Sequence, residues 1–73
     1  MNKDNELLKR ITIDLNIFGG KPIIRGHRLA VEHVLELLNA GDTEQTLLNA
    51  YPWLEKDDIE TCILWKKKNT AVA

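Results

Sequence analysis

The stretch VEHVLELLNAGDTEQTLLNAYPWLEKDDIE, residues 31 to 60, carries three apolar-periodic segments separated by two stops, and it decides the fold. Val31, Val34, Leu35 and Leu38 fall at i, i+3, i+4 and i+7, the stripe of an amphipathic helix, and Leu37 widens it. Gly41 ends that helix at the position where a left-handed cap favours glycine. Asp42 or Thr43 then caps a second helix running to about Tyr51, with Leu47, Leu48 and Tyr51 turned inward. Pro52 lacks the N–H a continuing helix needs, and it pushes Tyr51 out of helical geometry. A third helix begins near Glu55 or Lys56. Asp57, Asp58 and Glu60 suit the positive end of its dipole, and Lys66, Lys67 and Lys68 suit the other end.

The inward stripe expected on the third helix is Ile59, Cys62 and Ile63, with Trp65 beside it. Leu64 falls among Asp57, Glu60, Thr61 and Lys68 on the polar face. It is either a lone exposed leucine, which is ordinary, or part of a subunit or partner contact. Leu37, Leu64 and Trp65 together form an apolar surplus, expected to lie in a dimer or partner interface.

Upstream, Ile11-Thr12-Ile13 alternates as a short strand, and residues 14 to 22 read as loop. Ile23-Ile24 and the residues to Ala30 supply the other half of a β-ribbon too short to stand alone. Residues 1 to 10 are polar and expected to be a flexible, fraying N-terminus. The expected architecture is mainly α, a short N-terminal β-ribbon followed by three helices. One small domain covers residues 11–68, with ribbon and loop at 11–30, helices at 31–68 and a C-terminal tail at 69–73. The second and third helices, joined through Pro52-Trp53-Leu54, have the length of a helix-turn-helix.

A chain of 73 residues buries only about 60% of the surface it exposes when unfolded, so its core is marginal. Cys62 alone forms no internal disulfide, and with His27 and His33 it gives no metal-ligand spacing. A second copy of the chain is the remaining stabiliser, and a homodimer is expected. No run approaches the roughly 20 apolar residues of a membrane span, and the start lacks a signal peptide's apolar segment. A cytoplasmic protein is therefore expected. The net charge of −1 divides unevenly: residues 1 to 30 hold six Lys or Arg against three acids, and the remainder holds four against eight. That is not the basic balance of a protein that binds nucleic acid by charge alone.

Gly19-Gly20-Lys21 resembles a phosphate loop only at first sight. Pro22 stands where the Ser or Thr hydroxyl should be and removes a backbone donor. The glycines read instead as turn residues with positive φ. Lys21, Arg25 and Arg28 nonetheless concentrate positive charge in eight residues, and they are candidates to bind nucleic acid or an acidic partner. Arg28 also has Glu32 available as an internal partner. Lys66 and Lys67 are further candidates for phosphate contact, or simply dipole partners of their helix. The start of the third helix is acidic and ill suited to a phosphate-lined groove. His27 and His33 have no paired nucleophile, so no catalytic site is expected. Nor is a cofactor, a metal or a small-molecule substrate.

The block Gly20-Lys21-Pro22, Arg25-Gly26-x-Arg28, Ala40-Gly41, Tyr51-Pro52-x-Leu54 and Asp57-Asp58-Ile59 closely resembles the bacterial domain of unknown function 433, over residues 11 to about 65. Three departures stand out: His27 where Thr is usual, Ala30 where Pro is usual, and Glu55 where Ser or Thr caps the third helix. The resemblance implies a homeodomain-like helical fold, usually dimeric. It further implies an antitoxin of a type II toxin–antitoxin pair, binding a toxin with a PIN-like nuclease fold and often its own operator. The alternative is a DNA-binding regulator of helix-turn-helix type with no toxin partner.

Overall fold

The computed structural model describes residues 3–70. Met1 and Asn2 of the expected flexible N-terminus and residues 71–73 of the expected tail lie outside the described residues. The architecture is mainly helical with a small antiparallel ribbon: α1 (Lys3–Leu8), β1 (Ile11–Thr12), a 3₁₀ turn (Phe18–Gly20), β2 (Ile23–Ile24), α2 (Val31–Asn39), α3 (Glu44–Ala50) and α4 (Lys56–Thr70).

The stops read in the sequence act by identifiable bonds. After α2, Gly41 takes φ 106°, and its N–H donates to Leu38 O at 3.1 Å while the Asp42 N–H donates to Leu37 O at 3.1 Å. This pair of bonds satisfies the orphan carbonyls of the helix end. Thr43 Oγ1 accepts from the Thr46 N–H at 3.1 Å and caps α3. Tyr51, at φ −123° and ψ 89°, has left helical geometry ahead of Pro52. Ile24, Val31, Val34, Leu47, Ile59 and Cys62 are each at most 2% exposed and form the centre of one core. Burial of each such side chain contributes roughly 1.5–3 kcal/mol.

In the ribbon, Ile11 pairs with Ile24 and Thr12 with Ile23, in antiparallel register. A tight turn follows β2. Arg25 and Gly26 both have positive φ, 44° and 75°, and the His27 N–H donates to Ile24 O at 2.8 Å. Positive φ at both central residues is the signature of the hairpin turn whose twist matches that of its strands.

Five features depart from expectation. Residues 3–8, expected to fray, form α1, in which Leu7 is buried and its carbonyl accepts from Thr61 Oγ1 at 3.0 Å. Six residues cannot hold a helix alone, so packing against α4 stabilises α1. Ile63, expected inside, is 47% exposed, while Leu64 is half-buried in the seam between α1 and α4. The inward face of α4 is centred on Asp58, Thr61 and Cys62, and a buried carboxylate is what apolar periodicity cannot anticipate. Leu37 and Trp65, expected at an interface, pack half-buried against the chain's own core. Finally, α4 continues through Asn69 and Thr70, into the expected tail. Among the described residues no helix is long and apolar enough to cross a membrane.

Candidate functional site

The N-terminal half of the chain meets the start of α4 through a cluster of arginines and acids. Arg25 Nε donates to Asp58 Oδ1 at 3.0 Å, and its Nη2 donates to Asp58 Oδ2 at 2.8 Å and to Trp53 O at 3.0 Å. Arg10 Nη1 donates to Asp58 Oδ1 at 3.0 Å and to Glu55 Oε1 at 2.7 Å. Asp58 is fully buried, and its Oδ2 also accepts from the Glu55 N–H at 2.9 Å, which caps α4 from the third helical position. Glu55 therefore does not replace the missing hydroxyl cap with its own side chain. It faces Arg10, and Asp58 supplies the capping bond instead.

Burial alone would raise the Asp58 carboxyl, but hydrogen bonds from Arg25, the Glu55 N–H and Arg10 outweigh it and hold the group below its ordinary value. Hydrogen bonds to Glu55 and Asp58 raise Arg10, and the bond to Asp58 raises Arg25, so both stay charged. Trp53 closes the cluster. Its ring stacks on His27 at 3.8 Å with a 4° interplanar angle, lies 5.6 Å from the Arg25 guanidinium carbon, and meets the edge of Tyr51. Arg25, expected to contact a partner, is thus bound inside the protein.

A second face is left uncovered. Ile13, Leu15 and Phe18 are 65%, 80% and 48% exposed along one loop. That loop is built firmly. Ile17 is buried as its anchor, the Ile17 N–H donates to Asp14 O at 2.8 Å, and the Asn16 N–H donates to Asp14 Oδ1 at 2.9 Å. Phe18 sits at φ 50°, an uncommon conformation for an aromatic residue. Gly20, at φ 92°, lies under Leu15, whose Cδ2 would be 3.0 Å from any added Cβ.

Beside this loop a cleft of about 650 Å³ is lined by Phe18, Lys21, Arg28, His33 and Tyr51, with Leu29 among its walls. Lys21 Nζ lies 3.5 Å from Glu32 Oε1, and His33 Nδ1 lies 3.6 Å from Glu36 Oε1. Lys21 takes the glutamate that the sequence also offered to Arg28. The Arg28 side chain is exposed and makes no hydrogen bond or ion pair among the described residues. Lys21 and Arg28 are therefore brought together, and Arg25 is separated from them. Lys66 and Lys67 lie exposed on α4, with Lys67 at the α1–α4 seam. Among the described residues no group of His, Cys, Asp and Glu could hold a metal ion. Burial, with a smaller effect of Asp58, pushes the Cys62 thiol up to about 12.

Fold and site together define a small helical domain with an N-terminal ribbon, ionically closed on one side and open on the other. The chain belongs to the family described as Protein of unknown function (DUF433), whose model matches residues 11–65. No curated protein and no solved structure matches it.

Sequence reasoning missed Arg10 and Asp58 as partners and Ile13, Leu15 and Phe18 as a surface. Three large apolar residues within six positions of a glycine-rich loop were the available signal for the surface, since loops run over the outside of proteins. The pairing of Arg10 with Asp58 spans 48 positions and leaves no local signature.

Proposed function

We propose that the protein acts by binding another protein, as the antitoxin of a toxin–antitoxin pair whose toxin has a PIN-like nuclease fold. The observation that carries the binding role is the uncovered run Ile13, Leu15 and Phe18 on a pinned loop, flanked by Lys21 and Arg28. Apolar side chains presented together on a rigid loop, rimmed by charge, are the makings of a protein interface. The identity of the toxin rests on the family resemblance alone. Co-expression with the product of the adjacent open reading frame tests it: that product should be toxic by itself and copurify with this chain. A harmless neighbour, or one that does not copurify, removes the toxin–antitoxin reading.

We also propose a homodimer, for which the exposed Ile63 on α4 offers one apolar contact. Sedimentation at micromolar concentration should give twice the chain mass of 8.4 kDa, and a clean monomer refutes this part. Operator binding by a helix-turn-helix built from α3 and α4 is the secondary reading. Its support is the short Pro52 connection and the exposed lysines toward the end of α4. Glu55 and Asp57 stand exposed at the start of α4 and would oppose entry into a phosphate-lined groove. A gel shift with upstream DNA at low salt should show a complex weakened by Lys67→Ala, and an absence of binding eliminates operator recognition.

A further inference from the structure

Each basic group lining the cleft has a local acid except one. Lys21 stands by Glu32 and His33 by Glu36, whereas Arg28 faces the cleft unpaired among the described residues. Beside it are the rings of Phe18 and Tyr51 and the side chain of Leu29. From this arrangement we infer that the cleft takes an amphipathic segment of the partner protein that carries a single carboxylate, its apolar side chains against Phe18 and Tyr51 and that carboxylate on Arg28. The inference rests on the reading that a protein covers this face.

Charge complementarity selects the occupant. A guanidinium offers a planar fork that matches a carboxylate with two parallel hydrogen bonds, and such a bond gains strength when the cleft is closed by its ligand. A nucleic-acid strand could stack on the same rings, but its phosphates would run past Glu32 and Glu36. Those acids do not oppose a segment that brings one carboxylate to Arg28 and otherwise apolar surface. The backbone is also prepared. Phe18 is held at φ 50° by a loop anchored through Ile17, so little backbone freedom is lost when the ring is covered. Arg28 then sets specificity, and Phe18 with Tyr51 provides contact area.

The experiment uses the full chain and a fluorescein-labelled helical peptide with leucines at i, i+3, i+4 and i+7 and one glutamate beside them. Fluorescence anisotropy should show saturable binding. Replacing the peptide's glutamate by glutamine, or Arg28→Ala in the protein, should each weaken binding about tenfold, equivalent to roughly 1.4 kcal/mol. Arg28→Lys should recover part of the loss, because charge is retained without the fork. Unchanged melting of Arg28→Ala by circular dichroism separates lost recognition from lost folding. Absence of saturable binding, equal binding of the glutamine peptide, or tighter binding of a single-stranded oligothymidine overturns the inference. Copurification of the neighbouring product that survives Arg28→Glu overturns the cleft assignment and leaves the antitoxin reading standing. Arg28-dependent peptide binding without any copurifying neighbour does the reverse.

Discussion

Arg25 and Arg28 leave the same hairpin three residues apart and meet opposite surroundings. Arg25 turns toward α4, where Asp58 and the Trp53 carbonyl accept from it at 2.8–3.0 Å and the indole lies alongside. Arg28 turns toward the cleft between the Phe18 loop and α2, where no acid answers it among the described residues. In the first region every buried polar side-chain atom finds a partner, and no apolar ring stands alone. In the second, large apolar side chains and an unpaired cation lie in the open. A cationic residue in a small domain therefore has two distinct uses. It can close the fold, or it can wait for a partner, and only its acceptors tell which.

The contrast is sharpest at Asp58. Asp58→Ala leaves Arg10 and Arg25 without their shared acceptor and removes the α4 capping bond, and it should cost about 3 kcal/mol in urea denaturation. In a domain this small, whose total stability is on the order of 5 kcal/mol, that loss would leave about 2 kcal/mol and raise the unfolded fraction to roughly 3%. Arg25→Ala should cost less, about 2 kcal/mol, because Arg10 still faces the carboxylate. A double-mutant cycle between the two substitutions should show strong coupling, and additivity would break the ion-cluster account.

Acid should probe the same region without mutation. The Asp58 carboxyl titrates lower in the folded chain than its ordinary value of about 3.9, so the unfolded chain binds more protons there. The stability this group contributes is complete above that value and is lost as pH falls through the lower, folded one. A melt series from neutral pH downward should show that loss beginning near pH 4, and Asp58→Ala should flatten it.

Substitutions in the open region should move stability far less. Leu15→Ser and Arg28→Glu should each change the unfolding free energy by no more than about 0.5 kcal/mol while weakening capture of the protein partner. An equal loss of stability in the two regions would erase the distinction between them. The smallest effect is expected at Cys62. With its thiol buried and pushed up to about 12, it should resist a disulfide reagent at neutral pH in the native protein and react only on unfolding.

The parts of this fold that could be read from the sequence are those set by neighbours along the chain. The stripe of α2, the glycine stop at Gly41, a cap at Asp42 or Thr43 and the break at Pro52 all depend on residues within one or two turns, and the structure selects Thr43. The ribbon between residues 11–13 and part of 23–30 was likewise within reach, because alternation and turn residues bracket it, whereas its Ile11–Ile24 register was not. Illegible were α1, which exists by virtue of α4, and the buried Asp58, whose charge argues for the surface until its arginines are found. The candidate site divided in the same manner. Lys21 and Arg28 were identified by type and density, but nothing local told them apart from Arg25, because a positive φ at Arg25 fixes where that side chain goes. Ile63 and Leu64 exchanged their expected exposures for the same cause, a helix face set by distant partners.

Asp58 is separated by 48 residues from Arg10 and by 33 from Arg25. During synthesis both cations emerge long before the acid that secures them, so the N-terminal segment has no lasting tertiary anchor until α4 follows. Such long-range closure slows folding relative to a bundle of local contacts. The nascent chain is therefore expected to leave the ribbon and its greasy loop open to proteases until α4 has formed.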